Sequence, residues 1–186
     1  FNARINLYDG VKTQEIDTAI IKSARGLIEK DPEYKHVAAK LLIGTVYKEV
    51  FGEDTDSDAF ELQYRKTFIV NLKRLIKAGI LNKELAKFDL KKLSNYLKIE
   101  RDSNFAYLGL QTVYDRYLMH INDTRMETPQ GFWMRVAMGL AINEDNRDDW
   151  AIKFYNVLSQ FDFMSSTPTL FNSGGTFNQL SSCFLN

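Results

Sequence analysis

The sequence predicts a mainly α-helical chain. Apolar residues recur at helical spacing in segment after segment. Those segments open on capping residues and several close on glycine. Composition agrees: 45% of the 186 residues are apolar, which suits a soluble globular chain and argues against wholesale disorder.

The elements follow in order. Phe1 to Lys12 is short and mixed, with weak alternation over Arg4–Tyr8 and a turn signal at Asp9-Gly10. Thr13 then caps a helix over about 13–30, with Ile16, Ile20, Ile21, Ala24, Leu27 and Ile28 on one apolar face. Asp31-Pro32 restarts the chain as N-cap and first helical residue. Val37, Ala38, Leu41, Leu42, Thr45, Val46 and Val50 form the next stripe, and Gly52 stops it. These two helices make a hairpin. Glu53 to Ser57 is acidic and polar and marks a domain boundary. A helix over about 58–78 follows, carrying Phe60, Tyr64, Phe68, Leu72 and Leu75 and ending at Gly79. Leu81 to Leu97 reads as two short helices, capped by Asn82 and Asp89. Tyr107, Leu110, Val113, Tyr114 and Tyr117 mark a helix over about 104–119. Asn122-Asp123 is a turn, and Glu127-Thr128-Pro129-Gln130 opens a helix carrying Phe132, Trp133, Val136, Ala137 and Leu140. Ala151 to Phe161 is the last helix. From Phe163 on, Ser, Thr, Gly and Asn predict loop with short extended pieces, and a strand over 180–185.

Charge and composition narrow the function classes. The 24 basic and 24 acidic side chains cancel, so no electrostatic case exists for nucleic acid or a membrane surface. No apolar run approaches the roughly 18 residues of a membrane span. One cysteine excludes an internal disulfide and makes a reducing cytoplasm the expected location.

Few residues carry a chemical signal by themselves. Cys183 lies beside Ser181 and Ser182, after a tight turn at Ser173-Gly174-Gly175. A lone cysteine is either a buried small hydrophobe or, where accessible with a stabilised thiolate, a reactive thiol. His36 and His120 each stand alone, without partners at metal-ligand spacing, so no metal site is expected. No Gly-x-Gly-x-x-Gly and no Gly-Lys-Ser/Thr loop occurs. Thr13 lies at a helix start, where free N–H groups favour an anion, and Lys48 lies near the far end of the partner helix. An antiparallel hairpin brings those ends together. Either a phosphate sits between them, or they are a cap and a solvated lysine.

Thr167-Pro-Thr-Leu-Phe-Asn-Ser-Gly174, followed by Gln179-Leu-Ser-Ser-Cys-Phe-Leu185, resembles the start of the catalytic barrel in the large subunit of ribonucleotide reductase. Tyr8-Asp-Gly-Val-Lys-Thr13 through Val37-Ala-Ala-Lys40 to Gly52 resembles the second half of that family's ATP-cone. Arg101-Asp, Phe105-Ala-Tyr107, Arg116-Tyr-Leu118, Glu127-Thr-Pro-Gln130 and Arg135-Val-Ala137 resemble the helical region before the barrel.

The resemblance implies a partial cone hairpin at 1–52, a helical domain at 53–162, and the start of an α/β barrel at 163–186, whose first strand ends the chain. It implies an enzyme that reduces ribonucleotides to 2′-deoxyribonucleotides by thiyl-radical chemistry. Cys183 is then the first cysteine of the reducing pair, Thr169 and Ser182 belong to the substrate pocket, and Thr13 and Lys48 contact ATP or dATP as allosteric effectors. The radical comes from a separate metal-containing small subunit, although the cobalamin-dependent class shares the Ser-Ser-Cys region. Thioredoxin or glutaredoxin supplies reducing equivalents, and the intact large subunit forms a homodimer. The cone's first half, the radical cysteine and the second reducing cysteine fall outside the 186 residues, so the chain alone is expected to be inactive. The rival reading is a non-catalytic helical module that senses ATP or dATP through the hairpin. A third is a helical interaction domain with neither site.

Overall fold

The computed structural model describes residues 8–52 and 59–183. The acidic boundary expected at 53–57 and most of the weak alternation expected over 4–8 lie outside them, as do residues 184–186.

The N-terminal hairpin is α1 (Thr13–Gly26) and α2 (Tyr34–Phe51). Lys12, not Thr13, takes the N-cap position of α1, and its N–H donates to the Glu15 carboxylate at 3.1 Å. Glu15 thereby satisfies the backbone at the helix entry. The helix stops at Gly26, and turns replace the expected last turn. Asp31 also acts outside its helix: its carboxylate accepts the Glu33 N–H at 3.1 Å in an Asx-turn. Gly52 ends α2 at φ 79°, the left-handed conformation that glycine adopts without a Cβ penalty.

Helix α3 (Phe60–Lys77) buries Tyr64, Phe68, Leu72 and Leu75, one stripe at steps of three and four. A 3₁₀ turn at Lys83–Lys87 and α4 (Leu90–Tyr96) follow the expected caps. The Asn82 side chain accepts Glu84 N–H at 3.0 Å, and Asp89 accepts Lys92 N–H at 2.9 Å. A second 3₁₀ turn, Ile99–Asn104, leads into α5 (Tyr107–Arg116). The Asn122-Asp123 turn joins β1 (His120–Ile121) to β2 (Thr124–Arg125) in an antiparallel hairpin, with Asn122 at φ 52°. Then come α6 (Pro129–Leu140), capped by Thr128, and α7 (Arg147–Ser159).

Two expectations for the C-terminal stretch are corrected. Residues 167–172 are a helix, α8 (Thr167–Asn172), not loop. Pro168 near its start supplies a backbone dihedral already suited to a helix. No strand forms over 180–183. A strand needs a neighbour to complete its ladder, and here side chains of α8 take those carbonyls instead. Thr169 Oγ1 donates to Leu180 O at 3.2 Å and Asn172 Nδ2 to Gln179 O at 2.6 Å.

Helix α6 is the axis of the molecule. Pro129 through Gly139 are all buried, so it is covered on every side. It packs along α7, while α2 packs between α1 and α5. One contiguous apolar core runs from Ile21 through Val46, Tyr64, Leu93, Trp133 and Leu158 to Leu170. Such a helix must account for its polar residues, because a buried polar group without a partner is costly. Gln130 and Arg135 are both 0% exposed.

Candidate functional site

The segment from Thr167 to Cys183 is held to the body of the protein at its first half. Arg135 reaches out of α6 and donates from Nη1 to Leu170 O (3.0 Å) and Ser173 O (2.9 Å). The Ser173 hydroxyl donates back to Val136 O at 2.7 Å. Gly174 sits at φ 79°, and Gly139 on α6 leaves space that a methyl group would take from Ser173 and Gly174. Asn82 N–H donates to Gly174 O and Thr176 N–H to Ile80 O, which ties the segment to the loop after α3.

Beyond that anchor the chain lies on the surface. Cys183 is exposed, and Ser182 Oγ is 3.8 Å from its sulfur. Thr169 points its hydroxyl at Leu180 O and lies 3.4 Å from the Ser166 hydroxyl. The structure therefore joins Thr169 to the chain two residues before Ser182. An exposed thiol beside a hydroxyl is accessible to a second thiol, as disulfide chemistry requires.

Thr13 and Lys48 lie on the other predicted cluster. They line one groove of about 390 Å³ with Gln14, Asp17, Thr45, Glu49 and Gly52. Thr13 is the first helical residue of α1, where backbone N–H groups have no intrahelical acceptor. Lys48 Nζ pairs with Asp17 at 3.3 Å. The groove thus offers an ammonium and a helix start, with two carboxylates alongside. Glu49 is turned to the hairpin: it accepts Arg125 N–H (2.8 Å), Arg125 Nη1 (3.3 Å) and the Tyr114 hydroxyl (2.9 Å). The Arg125 guanidinium stacks over the Tyr114 ring at 3.6 Å.

Two buried polar centres on α6 are absent from the sequence reading. At its start, Asp102 receives the hydroxyls of Tyr47 (2.6 Å) and Tyr64 (2.8 Å) and the amide of Gln130 (2.8 Å). Tyr155 donates to Gln130 Oε1 at 2.7 Å and accepts Lys98 N–H at 2.8 Å. Burial pushes the Asp102 carboxyl up to about 6, against the three hydrogen bonds that favour its charged form. Burial beside Asp102 also raises the Tyr47 and Tyr64 hydroxyls, so both remain donors.

Midway along α6, Arg135 forms a two-pronged pair with Glu127: Nε to Oε1 at 2.9 Å and Nη2 to Oε2 at 3.1 Å. A signal for this pair was available. An arginine inside an otherwise apolar helix must find a counter-charge, and Glu127 lies just before that helix. Asp102 gave no such signal, because Glu100-Arg101-Asp102 looks like a solvated charge cluster.

Among the described residues, no three His, Cys, Asp or Glu side chains converge into a metal-binding group. No described helix is long and apolar enough to cross a membrane.

Comparison with known proteins agrees with this architecture. Residues 103–178 match the family model for the ribonucleotide reductase all-alpha domain. The chain is 49% identical over 184 residues to the ribonucleoside-diphosphate reductase subunit alpha of Chlamydia trachomatis, covering 97% of the chain and 17% of that relative. It is 39% identical over 186 residues to the Helicobacter pylori subunit alpha, covering 99% and 23%. It is 34% identical over 179 residues to the large subunit of Monkeypox virus, covering 96% and 23%. The chain thus spans less than a quarter of the length of these relatives.

Proposed function

We propose, from the premise that the chain belongs to the ribonucleotide reductase large-subunit family, that it is a segment of an enzyme reducing ribonucleotides to 2′-deoxyribonucleotides. The observation that carries this reading is the 49% identity to a reductase subunit alpha across 97% of the chain. The exposed thiol of Cys183 supports it.

In the overall reaction, two thiols lose two electrons and close to a disulfide, while the 2′-hydroxyl leaves as water. Cys183 supplies one of those thiols, and the second comes from outside the 186 residues, which contain one cysteine. An external dithiol of the thioredoxin or glutaredoxin class then reopens the disulfide by exchange. Thr169 and Ser182 border the nucleotide. A separate metal-bearing subunit initiates the radical that removes the 3′-hydrogen. The 186-residue chain by itself does not turn over substrate, and the working assembly is a cytoplasmic homodimer of large subunits with its small-subunit partner.

Residues 1–52 are the second half of an ATP-cone, residues 53–162 the helical domain, and residues 163–186 the start of the barrel. The groove shared by Thr13 and Lys48 is the cone's nucleotide-contacting face. ATP and dATP acting there regulate activity through a site distinct from catalysis.

The test is Cys183→Ser in the full-length protein that carries this segment. Dithiol-driven turnover is expected to vanish while ATP binding persists, and retained turnover would refute the role of Cys183. The groove itself favours the second reading, a nucleotide-sensing module. Calorimetric titration of the 186-residue chain with dATP separates the two. Binding lost in Thr13→Ala and indifferent to Cys183→Ser, with no turnover in any longer form, would favour sensing alone.

A further inference from the structure

We propose that Arg135 is a positioning residue: held by Glu127, it sets the backbone of α8 and thereby places Thr169 and the segment that leads to Ser182 and Cys183. The roles of Thr169 and Cys183 rest on the function proposed above; the placement does not.

A guanidinium has five N–H donors in a fixed planar fork. Here all five are engaged. Two bind Glu127, two bind Leu170 O and Ser173 O, and the fifth reaches Tyr117 O at 3.1 Å. Glu127 is fixed in turn by Met119 N–H at 2.8 Å. The Arg135 side chain is 0% exposed, so these acceptors have no water to replace the fork.

Helix α8 needs such a partner. A six-residue helix is far below the length that persists alone, and its last carbonyls lack intrahelical donors. Arg135 supplies donors to Leu170 O within that last turn and to Ser173 O just beyond it. Side chains one position earlier pass the placement on. Thr169 and Asn172 hold the carbonyls of Leu180 and Gln179, three and four residues before Cys183. Gly139 completes the seat by letting Ser173 and Gly174 lie directly against α6. Lysine carries the same charge but only three donors on a compact head, and cannot reproduce this fork.

Two variants of the 186-residue chain test the proposal, read by residue-resolved hydrogen exchange and by the rate of Cys183 alkylation at a fixed pH. In Arg135→Lys, the amides of Leu170, Ser173 and Gly175 are expected to lose protection on the order of 10-fold or more relative to those of α3 and α7, as local opening requires. The alkylation rate is expected to move toward that of a free peptide spanning residues 176–186. Gly139→Ala keeps both charges and wedges Ser173 and Gly174 off α6, so it carries the test should Arg135→Lys fail to fold. The same local loss is expected there. Protection retained over 170–175 in either folded variant, an equal loss throughout α3 and α7 in Gly139→Ala, or a wild-type alkylation rate already equal to the peptide's would overturn the proposal. Full turnover in Cys183→Ser would instead sink the functional reading and leave the placement by Arg135 standing.

Discussion

Two ion pairs of similar length differ in almost everything else. Arg135 and Glu127 meet at 2.9 Å with side-chain exposures of 0% and 6%. Lys48 and Asp17 meet at 3.3 Å with exposures of 48% and 30%. The first is dry, two-pronged, and surrounded by carbonyls that need its donors. The second sits in a groove open to solvent, where water screens the attraction and replaces either partner when the pair opens. The small difference in distance therefore says little about these pairs, and surroundings decide. The difference also matches the use proposed for each region. An ammonium in a groove open to solvent suits an incoming phosphate. An arginine that cannot leave is suited to holding a backbone in place.

The largest effect that would break this comparison is at the buried pair. Glu127→Ala strands the Arg135 charge and is expected to cost about 3–5 kcal/mol, measured by urea unfolding. A loss below about 1 kcal/mol would mean that water reaches the guanidinium and that the two pairs are alike.

The next effect concerns Asp102, a buried charge held by neutral donors. Its carboxyl titrates at about 6 when folded, against an ordinary value near 3.8. The folded chain therefore binds this proton more tightly than the unfolded chain. Its contribution to stability is full below about pH 4, is lost as pH rises to about 6, and amounts to at most about 3 kcal/mol. Asp102→Asn should flatten that slope in unfolding curves taken between pH 4 and 7, and an unchanged slope would assign it to other groups.

Tyr47→Phe sharpens the point. It removes the shortest hydrogen bond that favours the carboxylate, so the Asp102 midpoint should move above its wild-type position, visible in the same curves or in carboxyl carbon chemical shifts. A midpoint that falls instead would show that the tyrosine raises the carboxyl.

The smallest effect is at the groove. Lys48→Ala should change stability by less than about 1 kcal/mol. Under the function proposed here it should nevertheless weaken dATP binding by calorimetry. A large loss of stability with unchanged nucleotide binding would invert the comparison.

The fold was legible where one physical signal dominated. Tyr64, Phe68, Leu72 and Leu75 can share a face only as a helix, and Asn82 and Asp89 cap the elements that follow them. It was illegible where tertiary partners decide. Residues 167–172 are rich in the side chains that usually mark loops, and they are helical where Arg135 of α6 donates to Leu170 O. Thr169, Ser182 and Cys183 were picked out by the family resemblance. The residues that seat it, Arg135 and Gly139, lie some thirty or more positions earlier, and no local pattern connects them. The convergence of Thr13 and Lys48 followed from hairpin geometry, which needs only two helices and a short turn.

The pairing of Thr176 with the turn after α3 has a consequence for biosynthesis. The Thr176 hydroxyl binds Gly79 O across 97 residues of chain, and backbone bonds join Ile80 and Asn82 to the same segment. A ribosome adding roughly 5–20 residues per second releases Gly79 several seconds before its partner. For that interval the corner after α3 is uncapped, and Ile80 O and Asn82 N–H lack their partners. The nascent chain therefore passes through a stage with a sticky edge. A chaperone that recognises an unpaired backbone edge would find its window there, and a translational pause before residue 176 would lengthen it.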